Sequence, residues 1–208
     1  MINSFQMEKN DFLHSDIDGF FHTDFYGANH PNNPNFLYKL KNDPHHNWTT
    51  HDLASAASDF RRVILSDLPQ ILRQVAPSIL TVCIVPRAKA EAVYRPDQLL
   101  FKSTLKDSVR SLPGFQDGVN FIVRHTNTRT THLRKPVQDF ENDGRMPYAG
   151  IAIDTCDFSH QISGRDILLV DDVYTKTVNI DEDMVQALFK NGAKSVVFYA
   201  VGKTARRL

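Results

Sequence analysis

Three stretches of the chain are apolar almost without interruption: Ile79–Val85 (ILTVCIV), Ile167–Val170 (ILLV) and Ser195–Val201 (SVVFYAV). A strand with one wet face alternates apolar and polar residues, whereas an unbroken apolar run belongs to a strand covered on both faces. Helix-like segments lie between these runs. Thr49 or Thr50 can cap a helix with apolar positions at Leu53, Ala56, Ala57, Phe60, Val63 and Ile64, and Ser66-Asp67-Leu68-Pro69 reads as a restart. Further helices are expected from Pro96 to Leu112 and over Ile180–Lys190, the latter closed by Asn191-Gly192. Val119–Val123 and Gly150–Ile153 read as additional short strands. Strands alternating with helices imply an α/β fold with a parallel twisted sheet flanked by helices.

Residues 1–50 are aromatic, Asn-rich and irregular, and are expected to form a cap or hood over a core spanning 51–208. Residues 124–147 form a long polar, basic stretch containing Arg124, Arg129, Arg134 and Lys135. Connections of this length commonly serve function. The 24 basic and 24 acidic residues cancel, which together with a single Trp leaves nucleic-acid binding open but without support. No apolar run approaches the ~20 residues of a membrane span, and the start of the chain has no secretory pattern. Two distant cysteines make no disulfide framework. The expected location is cytoplasmic, without membrane association. His30, His45, His46 and His51 match no common zinc spacing.

The chemistry concentrates after the second apolar run, where ILLV meets Asp171 and Asp172. Ligands of parallel sheets bind beyond the carboxyl ends of the strands. Adjacent acids there suit a diol or a metal, and their mutual repulsion suggests use by something outside the fold. Thr175-Lys176-Thr177-Val178-Asn179 then leads into a helix N-terminus, a natural anion site. Sugar on the acids and phosphate on the loop describe a ribose 5-phosphate.

Strand, Asp-Asp, two residues and a Thr-bearing loop resemble the phosphoribosyl-pyrophosphate (PRPP) signature of type I phosphoribosyltransferases. Within that family the likeness is greatest to ComF-like proteins. It spans roughly residues 79–203 and includes CIVPRAKA, similar to a strand ending in a pyrophosphate loop, and YRPDQLL. The resemblance implies a Rossmann-like core and transfer of a phosphoribosyl group with release of pyrophosphate. Asp171 and Asp172 would hold the ribose hydroxyls, Thr175 to Asn179 the 5-phosphate, and Arg87 and Lys89 the pyrophosphate. Mg²⁺ would be bound mainly through PRPP, and the basic stretch would close as a hood. The implied partners are PRPP or a ribose 5-phosphate ligand and an acceptor that the sequence does not identify, with a homodimer left open. The family loop reads Thr-Thr-Gly-x-Thr; here Thr177 replaces the glycine and Asn179 the last threonine. The altered loop is expected to have re-formed around Lys176 and Asn179. It also motivates alternatives on the same fold: a non-catalytic nucleotide sensor, a defence or toxin-system effector, or a competence-type DNA-uptake accessory protein.

Overall fold

The computed structural model describes residues 1–27, 30–43, 46–129 and 149–205. Its main sheet has six strands: β1 (Asn3–Met7), β2 (Ile17–Phe25), β3 (Leu80–Ile84), β4 (Phe115–Asp117), β7 (Asp166–Tyr174) and β8 (Ser195–Thr204), in the order β1-β2-β8-β7-β3-β4. All neighbours run parallel except β1, which turns back along β2. β5 (Ile122–Arg124) and β6 (Cys156–Phe158) form a separate antiparallel pair. The helices are α1 (Phe36–Lys41), α2 (Thr50–Leu72), α3 (Leu100–Val109), α4 (Ala152–Thr155) and α5 (Ile180–Lys190). The protein is thus an α/β fold with a mostly parallel sheet between helices. No helix among the described residues is long and apolar enough to cross a membrane.

The unbroken apolar runs have the expected cause. Successive strand residues point to opposite faces, so Leu168 and Val170 of β7 join one core while Ile167 and Leu169 join another. The first core is closed by α1, α2 and α3, the second by α5 with α4 and the β5–β6 pair. Helix α2 is started by a capping box: Thr49 Oγ1 accepts the Asp52 N–H at 3.1 Å, and Asp52 Oδ2 accepts the Thr49 N–H at 3.3 Å. Its stripe of Ala56, Phe60, Ile64, Leu68 and Ile71 lies buried on the sheet.

The structure differs from the sequence reading at four places. Residues 3–25 are not a cap: β2 pairs with β8 from Gly19–Phe198 to Phe25–Thr204, inside the sheet. In β1, Phe5 lies opposite Gly19, where its ring covers the glycine and stacks on Tyr174 with centroids 4.9 Å apart. Helix α2 does not restart at Ser66; it runs unbroken through Pro69, which falls in its last turn. Near 119–123 the strand comes later, as β5 outside the main sheet, while the edge strand is the short β4. Gly150–Ile153 is not a strand; α4 starts there, and β6 follows it.

Candidate functional site

Adjacent strands β3 and β7 send the chain in opposite directions. From β3 it passes through two 3₁₀ turns (Glu91–Val93 and Pro96–Gln98) and α3 to β4 on one flank; from β7 it passes through α5 to β8 on the other. α3 and α5 belong to different cores. The carboxyl ends of β3 and β7 therefore form a topological switch point, where open α/β sheets leave a crevice. A cavity of about 200 Å³ lies there, walled by Ile84–Lys89, the end of α1, the start of α5, and both Asp171 and Asp172.

The two acids lie within β7 rather than beyond it. The ladder with β3 stops at Val170, whereas that with β8 continues through Asp171–Ala200, Val173–Gly202 and Tyr174–Lys203. Strand alternation separates the acids. Asp172 faces the α1 side and forms an ion pair with Lys41; Asp171 faces α5 and hydrogen-bonds to Asp181. Both acids therefore also have partners within the fold.

Burial raises the Asp171 carboxyl well above the usual range, and the neighbouring Asp181 and Asp172 raise it further. Burial likewise pushes Asp181 up to about 7. At Lys41, burial works against the charge, but Asp172, helped by Asp171 and Asp43, outweighs it and raises the ammonium pKa.

The loop after β3 and its neighbours bring basic residues to the same cavity. The Arg87 guanidinium donates to Lys41 O at 2.7 Å, Gln98 O at 2.6 Å and Asp43 Oδ1 at 2.6 Å, and lies over Tyr94 at 4.3 Å. Buried Arg124 donates to Arg87 O at 2.8 Å and to Thr155 Oγ1 at 2.6 Å. Thr128 donates through both N–H and hydroxyl to Ala88 O, and Tyr94 accepts the Lys89 N–H at 3.0 Å. The loop after β3 is therefore held from several sides. Lys89, Lys102, Arg124 and Arg129 also reach the cavity.

The structure thus brings Asp171, Asp172, Arg87 and Lys89 around one cavity, but Thr175, Lys176, Thr177, Val178 and Asn179 are not in its lining. Their turn closes on itself, with the Val178 N–H on Thr175 O at 3.0 Å. Thr175 Oγ1 meets Thr204 Oγ1 at 2.7 Å, and Lys176 turns outward to Glu8 at 2.6 Å. Thr177 has no positive φ; the left-handed residue is Asn179, at φ 56°, where Asn10 donates to its Oδ1 at 3.1 Å. The first turn of α5 carries Asp181, Glu182 and Asp183, so carboxylates already meet the positive end of that helix.

Of the expected basic hood, Arg134 and Lys135 lie outside the described residues, whereas Arg124 is a buried wall residue. Sequence reasoning missed Lys41, Asp43 and Asp181. The acidic run at the head of α5 was a visible signal for Asp181. Nothing local marked Lys41 or Asp43, which topology alone brings to the crevice. Among the described residues, no group of three His, Cys, Asp or Glu could hold a metal ion. A Mg²⁺ ion would fit here only with oxygens supplied by a ligand. No protein-family model matches the chain, and no curated protein matches it.

Proposed function

We propose that the switch-point crevice binds PRPP, or another ribose 5-phosphate nucleotide, and that the protein transfers the phosphoribosyl group to an acceptor. The observation that carries this reading is the meeting of carboxylates and cations around one cavity: Asp171 and Asp172 would supply oxygens for ribose hydroxyls, and Arg87 and Lys89, with Arg124 and Arg129, positive charge for phosphates. In the reaction the C1–oxygen bond to pyrophosphate breaks and its electron pair leaves with pyrophosphate. A lone pair of the acceptor forms the new bond to C1, and the acceptor proton passes to solvent. Mg²⁺, when bound with PRPP, would neutralise the leaving group. The protein's own residues align the ribose and stabilise developing charge.

A second reading, binding without transfer as in a nucleotide sensor, is favoured by one observation. The Thr175–Asn179 turn lies outside the cavity lining and leads into three carboxylates, so a 5-phosphate would have to find the basic residues of the cavity instead. Calorimetric titration with PRPP and Mg²⁺, beside a pyrophosphate-release assay, separates the readings. Binding with release supports transfer; binding without release across an acceptor panel supports the sensor. Asp171→Asn with Asp172→Asn is expected to weaken PRPP at least tenfold. Unchanged affinity in that variant would remove the crevice assignment.

A further inference from the structure

The end of α1 and the residues just after it meet both an acid and a base of the crevice. Lys41 Nζ pairs with Asp172, while Lys41 O and Asp43 Oδ1 both accept from Arg87. Asn42, between them, is one of only two non-glycine residues with positive φ among the described residues, at 42°. Its left-handed backbone turns the chain between Lys41, which reaches Asp172, and Asp43, which reaches Arg87. Asn42 is itself anchored: its side chain donates to Asp97 Oδ2 at 2.9 Å, and its carbonyl accepts from Gln98 at 3.3 Å.

We propose that Lys41–Asp43 is a built-in competitor for the ligand of this crevice, an autoinhibitory contact that must be displaced before a phosphorylated sugar can engage Asp172 and Arg87. The inference rests on the crevice being the ligand site proposed above. The three residues reproduce the polarity of such a ligand in miniature. A donor sits on the carboxylate that would take a hydroxyl, and a carboxylate with a carbonyl sits on the guanidinium that would take a phosphate. A polar group can hold only a few partners in good geometry. The Arg87 guanidinium already makes three hydrogen bonds, all to backbone carbonyls and one carboxylate of its own chain. A ligand oxygen that takes one of these three of the five guanidinium donors has to exchange with the acceptor already there, Lys41 O or Gln98 O at Nη1 or Asp43 at Nη2. The competitor raises the apparent dissociation constant in inverse proportion to the fraction of time the contact is open. It also keeps the crevice charges paired when no ligand is present.

The test compares the parent with Lys41→Met/Asp43→Asn, titrated with ribose 5-phosphate and with PRPP plus Mg²⁺. The variant is expected to bind at least tenfold more tightly. In the parent, ligand should accelerate hydrogen exchange over residues 36–43, because the segment is released. Asp97→Ala serves as a second variant, loosening the Asn42 anchor from a half-exposed position while leaving Arg87 and Asp172 intact; it too should tighten binding. Equal or weaker binding by a folded variant, or slower exchange over 36–43 with ligand, would overturn the competitor while leaving the crevice reading in place. If no variant and no parent binds either phosphosugar, both fall together.

Discussion

Asp171 and Asp172 are neighbours in sequence with opposite surroundings, because a strand turns successive side chains to opposite faces. Asp172 is an ion-pair partner, and Asp171 is set against Asp181, with burial raising both carboxyls. The second pairing has a consequence for stability. Asp181 titrates near 3.8 in the unfolded chain and at about 7 in the folded one. Between those values the folded state holds a proton that the unfolded state has released. Its contribution is fully present below pH 4 and is lost as pH rises through 7, at up to about 1.4 kcal/mol per pH unit. Asp181→Asn should flatten this part of the profile and stabilise the protein at pH 8, as urea unfolding at pH 4.5 and 8 of parent and variant would register. An unchanged difference between the two pH values would contradict the raised Asp181 carboxyl. Asn179 allows a second test at this scale. With its φ at 56°, Asn179→Ala should cost about 1 kcal/mol, whereas Asn179→Gly should be nearly neutral. Thr177→Gly should bring no gain, since residue 177 carries no positive φ to relieve. Urea midpoints for the three variants would decide whether the strain sits at 179 or at 177.

At the scale of elements, what was legible followed from local pattern, and what was missed followed from distance in sequence. The apolar runs of β3, β7 and β8 and the capped start of α2 are written in consecutive residues, and they appear where their patterns place them. β2 is written as IDGFFHTDF, with aromatic and polar residues mixed, and only its pairing with β8 explains it. The site divides in the same way. Asp171 and Asp172 are visible after an apolar run, but Lys41 ends, and Asp43 follows, a helix of six residues that has no motif. Pro69 misled the reading because proline usually interrupts a helix. Here it removes a hydrogen bond from the last turn only, and tertiary burial of Leu68 and Ile71 keeps that turn formed. Pro69→Ala restores the missing donor and should stabilise the protein by about 1 kcal/mol. A thermal melt shifted downward would show instead that the proline ring is required for packing against its surroundings.

For the molecule as a whole, the decisive contact joins the two ends of the chain. β8 lies between β7 and β2, and its residues from Val196 to Gly202 are all buried. A core beginning at residue 51, as the composition of the N-terminal region suggests, would lack β2 and leave β8 as a long apolar edge. Such an edge is a template for aggregation. The energetic loss is comparable to the stability of a domain. Ile2, Met7, Leu13, Ile17 and Phe20 are all nearly or fully buried. Each contributes about 1.5–3 kcal/mol, as an upper estimate, against a typical total of roughly 5–15 kcal/mol. One further bond would go with them, His22 Nδ1 to Asp67 Oδ2 at 2.9 Å, and the Tyr199 hydroxyl, which donates to the same carboxylate at 2.8 Å, would lose shielding. Deleting residues 1–25 should therefore yield protein that aggregates or lacks a cooperative melt, even though the crevice itself is built by β3, β7, α1 and α5. Size-exclusion chromatography and thermal unfolding of the 26–208 fragment check this. A monomeric fragment melting cooperatively near the temperature of the full chain would mean that the first two strands are an addition to the sheet rather than part of what holds it together.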